Sequence, residues 1–159
     1  MTTKRLIILN NAEIKFYYEP KNFDSDEQQH YFTLDNHEEN IVNGIGSTTS
    51  KVYFILLLGY FKASRQLFNL ETVKNISANF LFVKSKYFPS YKKKIKLNIS
   101  RPTRLELEYK ILKLFDYKVC DLSIKKQIEV FVAEMVSIDN DPVFIFKEVV
   151  RYLHKNRVI

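Results

Sequence analysis

Apolar residues recur along this chain at spacings of three and four, in segments separated by short polar stretches. Breakers are few, with three glycines and four prolines in 159 residues. That periodicity predicts helices throughout. A first short helix is expected over Asn11–Glu19, stopped by Pro20, and a second over Ser25–Phe32. A third begins at Asp35, with Glu38 three residues on as its capping-box partner, and ends near Gly44. Residues 44–49 (Gly-Ile-Gly-Ser-Thr-Thr) read as a turn followed by N-cap candidates. They lead into an apolar helix from about Thr49 to Ala63, whose length decides against a strand.

The second half continues in the same style. Asn69 is expected to cap a helix over Leu70–Val83, with Val73, Ile76, Phe80 and Val83 on one face. A short helix or turn follows through Lys86–Tyr91, interrupted by Pro89, and then a basic connector, Lys92–Ile99. Ser100 is an N-cap, and Pro102 falls in the first turn, where its missing N–H costs nothing. The helix so started carries Leu105, Ile111, Leu112 and Phe115. Another runs from Asp121 to about Ser137, with Ile124, Ile128, Phe131 and Met135 in register. The last opens at Asp141-Pro142 and ends near Asn156. One short strand or extended arm is allowed at Lys94–Ile99, where Ile95, Leu97 and Ile99 alternate with polar residues. The expectation is an all-α chain of seven to eight helices in two helix-turn-helix-like sub-bundles, 1–66 and 67–159, joined around Ser64–Asn69.

Charge changes this picture. Between Lys84 and Lys118 there are eleven Lys and Arg against three acids, a local +8, and the remainder of the chain is −1. The whole net charge of +7 is therefore one block. Such a block is the electrostatic footprint of phosphate contacts, or else a solvated lysine-rich loop. From Ala12 to Ser50, by contrast, eight acids face two lysines.

Other chemistry is thin. The single cysteine, Cys120, cannot close an internal disulfide, so a reducing cytoplasm is the expected setting. The longest apolar run, Val52–Phe61, is half of the roughly twenty residues a membrane span needs, so no membrane contact is expected. Three histidines, His30, His37 and His154, lack the spacing of a zinc site. Gly44-x-Gly46 lacks the third glycine of a dinucleotide fingerprint, and no Gly-Lys-Ser/Thr phosphate loop is present. No cofactor, metal or catalytic residue is expected.

The basic block carries the candidate site. Lys92, Lys93, Lys94 and Lys96 lead into Arg101, Thr103 and Arg104 at a helix start. Cations, hydroxyls and the positive end of a helix dipole thus share one stretch. Arg101 and Arg104, three apart, project from neighbouring positions, and arginine forks onto guanine in the major groove. Tyr87, Phe88 and Tyr91 either stack on bases or anchor the loop to the core. In the first half, a lesser contact is expected from Ser47, Thr48, Thr49 and Lys51.

The order of these elements resembles a known family. His30-Tyr31-Phe32-Thr33-Leu34-Asp35 is similar to the aromatic-Thr-Leu-Ser/Asp signature opening the N-terminal DNA-binding region of TnpA-type transposases of the Tn-three family of replicative transposons. An acidic helix, a glycine turn and a long apolar helix follow in that family, as in Glu38–Gly46 and Lys51–Phe61. Ser64–Phe68 resembles the family's Gly-Arg-aromatic ending, Arg101–Tyr117 its later basic-start helix, and Asp121–Ile159 its closing helices and basic-Ile tail. Family members often carry arginines at the first turn, where this chain has Asn43-Gly44-Ile45-Gly46.

The resemblance implies recognition of the terminal inverted repeats of a transposon through tandem helix-turn-helix-like units. It implies double-stranded DNA as partner, a transposase catalytic region or a second copy as further partners, and a cytoplasmic, nucleoid-associated location. It carries DNA binding only, because the family's acidic active site lies far downstream. The alternative is a helical protein-interaction or regulatory module with a non-specific basic patch.

Overall fold

The computed structural model describes residues 8–159, and among them the protein is all-helical. Eight helices follow in order: α1 (Asn11–Tyr18), α2 (Ser25–Phe32), α3 (Asn36–Asn43), α4 (Thr48–Ser64), α5 (Ile76–Tyr87), α6 (Arg101–Leu114), α7 (Leu122–Ile138) and α8 (Pro142–Lys155). One 3-10 turn, Leu70–Thr72, precedes α5. The caps are written into the sequence. Asn10 with Glu13, Asp24 with Glu27, and Asp35 with Glu38 each form a full capping box at α1, α2 and α3.

The chain divides into two compact units. Pro20–Leu112 is the central unit; the described residues up to Glu19 together with Lys113–Ile159 form the terminal unit. The core of the central unit is α4. Every residue from Val52 to Phe61 is buried, because α2, α3, α5 and the 3-10 turn all pack against that helix. A helix apolar on every side needs neighbours on every side. Each fully buried large side chain contributes about 1.5–3 kcal/mol. A Cβ placed on Gly59 would stand 2.2 Å from Cδ1 of Phe32, so the missing side chain is what seats that ring. Phe32 in turn meets Phe23, Tyr60 and Phe82 edge-on or tilted, with centroids 5.1, 5.9 and 6.4 Å away. Ser64–Asn69 lies within this unit and carries α4 into the 3-10 turn.

Two polar clusters inside this core are paired. Gln28 donates to Asn79 Oδ1 at 2.8 Å, and Asn79 donates to the Tyr60 hydroxyl at 2.8 Å. Lys62 Nζ lies 2.6 Å from the buried Glu38 carboxylate and also donates to the Thr33 carbonyl at 3.1 Å.

In the terminal unit α7 and α8 pack together, with Phe131 stacked on Tyr152 at 4.6 Å. α1 joins through Tyr17 against Phe146 and through Glu13 on Lys147 at 2.9 Å. Lys118 and Val158 form an isolated parallel bridge, with Cys120 N–H donating to the Ile159 carbonyl at 2.9 Å.

One local expectation is corrected, and three are made specific. Leu70–Val83 is not one helix. Asn69 caps only the 3-10 turn, and the backbone turns left-handed at Asn75 (φ 63°) before α5 starts. Of the helix or turn allowed over Lys86–Tyr91 the structure takes the turn: α5 ends at Tyr87, and a turn follows at Pro89 and Ser90, with the Tyr91 N–H donating to the Phe88 carbonyl at 3.1 Å. The 94–99 arm forms no strand. Ile95 is buried and Leu97 and Ile99 half-buried while Lys94, Lys96 and Asn98 are exposed, so the alternation sorts side chains without a pairing partner. In α6, Leu107 rather than Leu105 is buried, and Leu105 is 49% exposed.

Candidate nucleic-acid interface

All eleven candidate contacts fall in the central unit. Lys92, Lys93, Lys94 and Lys96 are exposed, held on an irregular segment whose anchor is the buried Ile95. Together with the exposed Arg101, none of the four is in an ion pair among the described residues, so their charge faces solvent undiminished.

The start of α6 is less open. Ser100 Oγ pairs with Thr103 Oγ1 at 2.8 Å and accepts from the Thr103 N–H at 3.3 Å. The hydroxyl of Thr103 is thus engaged in the cap. Arg104 is half-buried, and its Nε lies 3.4 Å from Glu108 Oε1, an ion contact without a hydrogen bond. Burial pushes the Glu108 carboxyl above its ordinary range, and Arg104 pulls it the other way. Arg104 thus meets a counter-charge within its own helix, whereas Arg101 does not.

At the start of α4, Ser47 Oγ accepts from Ser50 N–H at 3.0 Å and pairs with Ser50 Oγ at 2.9 Å, so its hydroxyl is used as a cap. Thr48, Thr49 and Lys51 are half-buried. Lys51 lines an open cleft of about 190 Å³ with Leu34, Glu39, Val42, Asn43, Tyr87 and Phe88. The structure therefore brings the first-half cation beside the residues that lead into the lysine segment. The spacing in sequence hid this juxtaposition.

Tyr87 anchors: its hydroxyl donates to the Phe32 carbonyl at 3.1 Å and accepts from Leu34 N–H at 2.9 Å. Thr33 between them accepts from Lys86 Nζ at 2.7 Å and donates to the Gln29 carbonyl. The Phe32-Thr33-Leu34 segment is thus a structural corner.

A family profile described as a domain of unknown function, DUF4158, matches residues 8–159. The chain belongs to the DUF4158 family. No curated protein and no solved structure gives a significant match to this DUF4158 chain. Among its described residues no group of three or more His, Cys, Asp or Glu is placed to hold a metal ion. No described helix is long and apolar enough to cross a membrane.

Proposed function

We propose that this DUF4158 chain is a sequence-specific DNA-binding module of the kind that recognises transposon terminal inverted repeats. The observation that carries it is the row of exposed, unpaired cations from Lys92 to Arg101. The resemblance to TnpA-type transposases and the occurrence of this family in transposase-associated regions support the reading. Lys92, Lys93, Lys94 and Lys96 neutralise backbone phosphates, and Arg101 approaches the duplex from the α6 start. Lys51 makes a lesser contact from α4. Thr103 and Arg104 are already engaged at the α6 start, through Ser100 and Glu108, and make secondary contacts.

The test is an anisotropy titration against a random duplex pool near physiological salt, with sequencing of the bound fraction. An enriched motif is expected. With about six phosphate contacts, log K falls with a slope of about −5 against log salt. Replacing the four lysines by alanine should flatten that slope by about 3.6. The engagement of Thr103 and Arg104 favours one rival, a protein-interaction module whose basic patch is non-specific. Salt-sensitive binding without an enriched motif would select it, and no binding would sink the DNA reading.

A further inference from the structure

α7 presents a pattern that the DNA reading leaves unused. On a helix, residues four apart form a ridge. Leu122, Lys126, Val130, Glu134 and Ile138 make one such ridge along the full length of α7. All five are exposed, Leu122 at 78%, Val130 at 61% and Ile138 at 70%. Neither Lys126 nor Glu134 is in an ion pair among the described residues. The opposite side of α7, with Ile124, Ile128, Phe131 and Met135 half-buried, is the side turned inward.

The ridge reads the same from either end once charge is inverted: apolar, positive, apolar, negative, apolar. Two copies laid antiparallel about a two-fold axis near Val130 place each Lys126 against the other copy's Glu134. A parallel arrangement would instead set Lys126 against Lys126 and Glu134 against Glu134. Packing of four-spaced ridges into four-spaced grooves is the commonest helix crossing, and an isologous interface needs one patch complementary to itself. The receiving groove is present. Ser123 and Gln127 on one side, Lys126 and Val130 on the other, bound a shallow groove of about 370 Å³ beside the ridge.

We infer that the exposed face of α7 is a self-association surface, whose occupant is α7 of a second copy in antiparallel orientation. The inference does not depend on DNA binding, and its test is run without DNA. Sedimentation equilibrium of the full chain over rising concentration should show a monomer–dimer equilibrium. Lys126→Glu and Glu134→Lys each turn two attractions into two repulsions and should weaken the dimer about tenfold or more. The double variant K126E/E134K exchanges the charges and should restore it. Val130→Glu, which places two like charges near the axis, should abolish it. All three positions are exposed, so circular dichroism should be unchanged. A chain that stays monomeric throughout would overturn the inference. So would a dimer indifferent to these changes, or a double swap that fails to rescue.

Discussion

α4 and α7 are both 17 residues long, yet α4 buries ten successive residues and α7 buries none. The difference lies in what surrounds them. α4 has four elements packed around it and carries no charge between Val52 and Phe61. α7 packs on α8 and interleaves Lys125, Lys126, Glu129 and Glu134 with its apolar positions. The first arrangement yields a dense core that fixes the corner and the cation segment of the central unit. The second leaves a thin unit in which a helix face stays available. Stability and availability are thus assigned to different parts of one chain.

The contrast can be broken by substitution. Phe32→Ala removes a ring that is fully buried on Gly59 and should lower stability by about 3–5 kcal/mol in denaturant unfolding. Phe131→Ala, at a half-buried stacked ring, should lower it by only about 1–2 kcal/mol. Equal losses would mean that the terminal unit is as tightly packed as the central one. Gly59→Ala is a smaller and sharper probe. Helix propensity alone favours alanine by about 1 kcal/mol. The clash with a ring hemmed in by Phe23, Tyr60 and Phe82 should reverse that sign, to a net loss of about 1–3 kcal/mol read from the same denaturation curves.

Acid should separate the two units most gently. The hydrogen bond from Lys147, then that from the Asn10 N–H, holds the Glu13 carboxyl below its ordinary 4.5. Its contribution is present above 4.5 and lost as pH falls through the lower folded value. Glu108 has the opposite sign. Burial raises its folded value, so the central unit gains as pH falls through that value toward 4.5. Amide exchange in α1 and α8 should therefore accelerate on acidification while that in α4 holds. Acceleration in α4 first would reverse the assignment.

Much of this fold was legible locally. α2 has the expected limits, and α7 and α8 keep their Asp121 and Asp141-Pro142 starts, because caps and periodicity are properties of adjacent residues. The break at Asn75 was not legible, since Asn69 followed by an apolar run satisfies the same cap signal whether it opens a helix or a single 3-10 turn. At the candidate site the exposed lysines were readable from composition. The pairing of Arg104 with Glu108 was readable in principle from their four-residue spacing. The placing of Lys51 and Phe88 on one cleft was not, since it depends on the packing of α4 on α5.

The Phe32–Leu34 corner has a consequence for the order of assembly. Its backbone carbonyl and N–H are satisfied by the hydroxyl of Tyr87, 55 and 53 residues away along the chain. Helices α2 and α3 carry their own caps, but the bend between them cannot be completed from local sequence. Closing a loop of that size costs chain entropy before any contact repays it. The corner therefore sets late, when α5 docks, and α2, α3 and α5 lock in one cooperative step rather than in sequence from the N-terminal side.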